Sequence, residues 1–297
     1  MLGPNCYAEL GIGKSNTPEK CGEEINDFFC SDKCDVIISC GGGETMCEDL
    51  PYTDFEAIKQ AKPRWFMGYS DNTNLVFTLT TLCDTAAIYG IHAATFGQEP
   101  WHDSIKDALK LLRGEQLQVH NYEAWEKEAP DDEENPLVPY DPTEPFSMYF
   151  SGDTDGEVSF SGRLLGGCLD VLQVICGTEF DKVREFNEKY SEDGVVWFME
   201  ACEMRPLQIS RALWQMDNAG WFKNARGFIF GRPYVYGAED MGLDNKGAVE
   251  RILAKYGVPI IFDADLGHLP PAMPIISGAV AEVRAREGSF VMDQVLR

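Results

Sequence analysis

Three polar residues, each at the end of an apolar run, could together carry out nucleophilic chemistry. In RWFMGYSDNTNLVF, residues 64 to 77, an apolar stretch ends at Gly68, Ser70 follows, and a helix-like pattern begins at once. A serine hydroxyl is a weak nucleophile until a neighbouring base takes its proton and a third group orients that base. At a strand-to-helix turn the hydroxyl is pushed outward, and the backbone N–H groups that follow could stabilise an oxyanion. Capping a helix is the ordinary role of a serine there, so Ser70 alone decides nothing.

The turn is close to the nucleophile elbow G-x-S-x-G, with Asn72 where the second glycine belongs. Four histidines are available as the base. His102 in EPWHDS and His120 in QVHNY sit beside helix and loop and read as exposed, whereas His92 in IYGIHAATFG reads as a buried, satisfied imidazole. His268, in DADLGHLPPAMP, follows a strand and precedes a Pro-Pro that fixes the backbone, a setting that fits structure and function equally. Glu200 ends the apolar run GVVWFME, where a carboxylate must be paired or open to a cleft, since isolated burial is costly. Glu203 competes with it, but lies further out and close to Arg205. Gly41, Gly42 and Gly43 could supply an oxyanion N–H or cradle a phosphate, although the G-x-G-x-x-G and Walker spacings are absent.

The elements that must position these residues alternate between strand and helix over the first 115 positions. Thr17-Pro18 predicts a capped helix start with Cys21, Ile25, Phe28 and Phe29 on one face. CDVIIS, RWFMG and AAIYGIH read as short buried strands, and Thr53-Asp-Phe-Glu56 reads as a capping box opening a helix through Ala61. Leu75, Leu79 and Leu82 mark the helix after Ser70, and Ile105, Ala108, Leu109 and Leu112 mark another closed by Gly114. Such alternation implies a parallel sheet covered on both faces. From Asn121 to Phe146 come nine acids, one lysine and five prolines, which exclude a regular helix or central strand. A solvated linker is expected there, although Trp125, Tyr140 and Phe146 leave room for a loop folded over a site. Later, GVVWFME, GFIFG and VPIIFDADLGH read as strands, ISRALWQMDNAGWF and KGAVERILAKYG as helices, and GAVAEVRAREGSFVMD as a hairpin turning near Gly288.

At 297 residues with 44% hydrophobic composition the chain can bury a large core. A formal charge of −24 repels nucleic acid and anionic membrane, so neither is expected as a partner. The N-terminal stretch has neither a basic n-region nor an apolar h-region, so no signal peptide is read. The ten cysteines are then expected as reduced thiols of a cytoplasmic protein. Five of them fall between Cys21 and Cys47 without a C-x-x-C pair, so no metal is expected.

Taken together, SCGGGETMCEDLPY, GYSDNTNL, GRLLGGCLDVL, VVWFMEACEMRPLQISR and LGHLPPAMPIISGA resemble, in order, the LD-carboxypeptidase family of serine peptidases, which includes the microcin C immunity peptidases. The resemblance implies an α/β protein in two parts. One is an N-terminal Rossmann-like three-layer α/β domain with a parallel sheet at 1–115, carrying the serine. The other is a C-terminal β-rich α/β domain at 157–297, carrying acid and base, with 116–156 as the acidic connection. It further implies a triad of Ser70, His268 and Glu200, with an oxyanion hole from the N–H groups of Asp71 and Gly42. Gly43, Glu44 and Arg163 are the weaker substrate-binding candidates. The implied activity is cofactor-free hydrolysis of an amide next to a free carboxylate. Its implied partner is a small peptide or a peptide–nucleotide conjugate, and a homodimer is the assembly considered. Murein tetrapeptides are the first expected substrate and aminoacyl- or peptidyl-nucleotide conjugates the alternative. An α/β-hydrolase-like esterase and a non-catalytic small-molecule binding module are the remaining readings. Two departures stand out. The family's first strand and helix have no counterpart here, so the chain is expected to start late, and Cys168 replaces the asparagine often found after GRLLGG.

Overall fold

The computed structural model describes residues 1–128, 135–152 and 156–297, and within them the chain forms two main sheets. In the first, Val36–Ile38, Trp65–Gly68 and Ala87–Tyr89 run parallel in that order. These short apolar segments leave their polar neighbours at the strand ends, and each is followed by the turn and helix its sequence signals. Thr17 caps Pro18–Cys30 by accepting from the Lys20 N–H. The capping box at residue 53 is out of phase by one position. Asp54 caps the helix Phe55–Gln60 by accepting from the Ala57 N–H at 2.9 Å, while the Thr53 hydroxyl donates to the Asp49 carbonyl instead.

The second sheet has eight strands. Its middle is parallel, in the order Glu157–Cys168, Val195–Glu200, Ala225–Gly231 and Ile260–Ala264. The hairpin Val280–Arg286 and Ser289–Val295 adds antiparallel strands beside Glu157–Cys168. Parallel α/β sheets offer binding sites beyond the carboxyl ends of their strands. Register places Cys168 opposite Glu200 at that end, and the segment leading to His268 leaves Ile260–Ala264 there too.

The two sheets are stitched together. Ile275–Ser277, from the late part of the chain, pairs antiparallel with Ala87–Tyr89 and completes the first sheet. That sheet is therefore mixed where the sequence implies an all-parallel one, because a three-residue strand far away in sequence leaves no local sign of its partner. The Thr80 and Ser277 hydroxyls share a buried hydrogen bond of 2.9 Å across the join. One apolar core runs through both sheets, joining Leu79 and Ile88 to Phe198, Ile229 and Ile276. A second cluster packs Phe77 and Leu213 around the stacked rings of Trp197 and Trp221.

The acidic segment departs from the linker expectation. Residues 129–134 and 153–155 lie outside the described residues, but 118–128 and 135–150 are built in as a strap. Gln118–His120 and Tyr149–Phe150 form the two edges of the large sheet, and Ala124–Trp125 pairs with Glu144–Pro145. Trp125 is 3% exposed and stacks on the buried Arg232 at 4.6 Å. Arg232 in turn pairs with Asp265, whose other oxygen accepts from the Tyr122 N–H at 2.7 Å. With the Glu126 N–H donating to Pro270, the strap is bonded on both sides of His268. Composition reads a polar run as solvated, while long-range partners decide which of its aromatic residues are buried. Among the described residues no helix is long and apolar enough to cross a membrane.

Candidate active site

The end of Trp65–Gly68 forces the chain into a tight turn, and Ser70 takes it with φ of 61°. A side chain in this left-handed region costs about 1–3 kcal/mol, so the surroundings must impose it. They do so through three neighbours. The Ser70 N–H donates to the Tyr89 hydroxyl at 3.2 Å, and Asn72 Nδ2 donates to the carbonyls of Gly41 and Tyr69 at 2.8 and 3.1 Å. The Asp71 carboxylate accepts from the Met46 N–H and from Asn74 Nδ2, both at 2.9 Å. The glycine turn and the serine turn are thereby fixed against each other.

His268 Nε2 lies 2.9 Å from Ser70 Oγ, and its Nδ1 lies 2.9 Å from Glu200 Oε2. The Tyr89 hydroxyl donates to the other carboxylate oxygen, Glu200 Oε1, at 2.6 Å. Glu200 is 1% exposed, so its charge depends on these donors. Gly267 makes the approach possible: its φ is +104°, and a β-carbon there would sit 2.8 Å from the Glu200 side chain. Gly167, in GRLLGG, has a like role at the join, where a β-carbon would meet Thr73 at 2.5 Å and the Cys168 N–H donates to Thr73 Oγ1. Gly267→Ala is therefore expected to lower kcat by about a hundred-fold through displacement of His268. Steady-state kinetics beside a thermal melt would check it, because unfolding alone would lower both together.

Electrostatics follow from this packing. Burial opposes the imidazolium form of His268, but the Glu200 carboxylate outweighs it and holds the histidine above its ordinary 6.5. For Glu200, burial opposes the charge, yet His268 and the hydrogen bonds from His268 and Tyr89 hold the carboxyl below its ordinary 4.5. A base must be neutral to take a proton, so activity is expected to fall as pH drops through a His268 pKa lying above 6.5. The pair's contribution to stability runs the other way. It is fully present between 4.5 and 6.5, lost as pH rises through the raised value of His268, and lost again as pH falls through the lowered value of Glu200. A kcat/KM profile measured beside a melting profile should show these opposed trends; an acid limb at or below 6.5 would contradict the first.

The remaining candidates divide. A β-carbon on Gly42 would lie 3.3 Å from Ser70 Oγ, so the glycine backbone flanks the hydroxyl, as does Asp71. Gly43 lies against the Asp71 carboxylate, and Glu44 is exposed beside it. Arg163 belongs elsewhere. It pairs in register with Val195, five residues before the Cys168–Glu200 pair and so roughly 16 Å from it. There it binds Asp193 at 2.7 Å, donates to the Gly278 carbonyl and stacks over Tyr190, a structural anchor and not a substrate contact. Glu203 is exposed, and Arg205 pairs with Asp240 in its place. Of the histidines, His120 is exposed, as read, whereas His102 is half-buried and caps Asp103–Leu112 by accepting from the Ser104 N–H. His92 stacks on Tyr69 at 4.3 Å, and burial pushes it down to about 4, which keeps a second positive charge away from His268. Tyr89 and Asn72 escape the sequence reading. Their one visible sign is a polar group at a strand end or in the turn.

Ser70, His268 and Glu200 thus form a relay in which the hydroxyl proton could pass to an oriented imidazole. Comparison with known proteins gives this relay a context. The model of the LD-carboxypeptidase N-terminal domain matches residues 2–90, and that of the C-terminal domain matches 161–283. The chain belongs to the LD-carboxypeptidase family. This is a family of serine-type carboxypeptidases, and the sequence resemblance is borne out. The chain is 24% identical over 272 residues to the microcin C7 self-immunity protein MccF of Escherichia coli, covering 89% of this chain and 75% of that protein. It is 23% identical over 274 residues to a probable murein peptide carboxypeptidase of Bacillus subtilis, covering 91% and 75%. Among solved structures, MccF in complex with glutamyl sulfamoyl guanosine superposes with a TM-score of 0.79 at 19% identity, covering 99% of this chain and 85% of that one. A muramoyltetrapeptide carboxypeptidase from Oxalobacter formigenes gives 0.70 at 17%, covering 95% and 85%. These likenesses establish the two-part α/β fold of this LD-carboxypeptidase family member.

Proposed function

We propose that this LD-carboxypeptidase family member uses Ser70 as nucleophile, His268 as general base and Glu200 as the group that orients and stabilises the imidazole. The observation that carries the proposal is the pair of 2.9 Å contacts that put His268 between the other two. His268 Nε2 takes the hydroxyl proton as Ser70 Oγ attacks the amide carbonyl. The negative charge then forms on the carbonyl oxygen, where the N–H groups of Asp71 and Gly42 receive it. The imidazolium, stabilised by Glu200, gives its proton to the leaving amine, and the C–N bond breaks. Water then attacks the acyl-serine with His268 again as base, and releases the acid product and free Ser70. No cofactor enters these steps. The units 1–115 and 157–297 supply the serine and the acid–base pair, and the described parts of 116–156 form the strap beside His268.

The substrate proposed is a murein tetrapeptide-type amide beside a free carboxylate, in line with the murein peptide carboxypeptidase relative. The second reading, an aminoacyl- or peptidyl-nucleotide conjugate, is supported by the strap folded beside His268 and by the likeness to MccF. A cytoplasmic setting is supported by ten cysteines that are all free thiols. Product analysis with murein tetrapeptide and an aminoacyl-sulfamoyl adenosine side by side separates the substrates. Labelling of Ser70 by a serine-directed phosphonate tests catalysis itself, and an unlabelled, inactive chain would sink the proposal.

A further inference from the structure

Beside His268 lies a cavity of about 220 Å³, between the end of Ala87–Tyr89, the segment 266–273 and the strap. Its walls include Ile91, Val138, Leu266 and Met273, with the rings of Tyr69 and Tyr140. Among the described residues that line it, none other than His268 can carry a positive charge and none is an acid. With His268 neutral, as a general base must be, an ionised group entering it would shed its water without gaining a counter-ion, so the substrate's free carboxylate belongs outside it. Gln98 also lines this cavity, is 7% exposed, and its Oε1 has no hydrogen-bond partner. Native chains leave few buried acceptors unpaired, and one on a cavity wall is satisfied when a ligand brings a donor. Rotation of the terminal amide is soft, so the carbonyl can turn to meet it.

We propose that this cavity is a subsite for an uncharged, largely apolar side group of the substrate bearing one N–H or O–H, and that Gln98 accepts that donor. Gln98 is then a specificity residue for the reaction proposed above. The inference depends on that reading only in calling the ligand a substrate. A site built to accept a donor discriminates against the isostere that lacks it far more sharply than an apolar pocket discriminates by size. Thr95, also on the wall, can adjust its hydroxyl to the same group.

The test reads binding and not turnover, by NMR titration of the whole chain with two matched pairs of neutral probes. These are N-acetyl-tyrosinamide against N-acetyl-phenylalaninamide, and N-acetyl-glutaminamide against N-acetyl-methioninamide. In the wild type the donor-bearing member of at least one pair should bind about ten-fold tighter, the value of one net hydrogen bond. In Gln98→Met the ratio should collapse to within about two-fold while the donor-free member keeps its affinity. Equal affinities in the wild type overturn the proposal without any variant, and so does a ratio that survives in Gln98→Met. A buried water permanently holding the Gln98 carbonyl would give that first result. A chain that shows the ratio but hydrolyses nothing retains this subsite and loses the peptidase reading, while an active chain with a ratio of one does the reverse.

Discussion

Alanine at position 70 is expected to lower kcat by about a million-fold, the usual cost of removing a triad nucleophile. The expectation rests on what the side chain touches. Ser70 Oγ bonds His268 Nε2, and the residue is only half-buried, so little packing is lost with the oxygen. The strained φ of 61° persists in the variant, because alanine carries the same β-carbon. The backbone N–H to Tyr89 persists as well, which keeps Glu200 in place, and Asn72 still holds the glycine turn. A melting temperature within a few degrees of wild type should therefore accompany the loss. Retention of more than about a tenth of the activity would refute Ser70 as nucleophile.

Glu200→Gln should be the second most damaging change, with kcat lower by roughly a thousand-fold or more. Glutamine keeps the shape but removes the charge that stabilises the imidazolium and selects its tautomer. The same charge holds His268 above 6.5, so its removal should also move the acid limb of kcat/KM to lower pH. A merely structural role would leave that limb where it was. Glu203→Gln supplies the control: its side chain is exposed and the contact it makes is a backbone N–H donated to Asp170. A loss under about ten-fold is expected there. Should the Glu203 variant prove the inactive one, the register of the strand Val195–Glu200 in this account would be wrong.

The proposed triad was legible because each member ends an apolar run, and period and strand ends are what a sequence displays best. Ser70 follows WFMG, Glu200 closes VVWFM, and His268 comes just after IIFDA. What failed depended on information a single segment does not hold. Arg163 sits in the right strand but five residues short of its carboxyl end, which only the pairing with Val195 reveals. Thr53 and Asp54 are both competent caps, and packing chose the second. The acidic strap looked solvated because the partners of Trp125 and Tyr122, Arg232 and Asp265, are more than a hundred residues away. Tyr89 reads as a core aromatic, and so it is; its hydroxyl matters because Glu200 comes from the other sheet.

Because Ile275–Ser277 closes the edge of the first sheet, a fragment ending near residue 115 would present Ala87–Tyr89 as a bare row of backbone donors and acceptors, open to stray pairing. The matching C-terminal fragment would carry a strand with nothing to join. Only residues 269 to 274 separate His268 from that crossing, so the imidazole is strung between the sheets on a short tether. The contact of His268 with Ser70 and the joining of the two sheets are then tied together, and a split gene would separate the residues that make both.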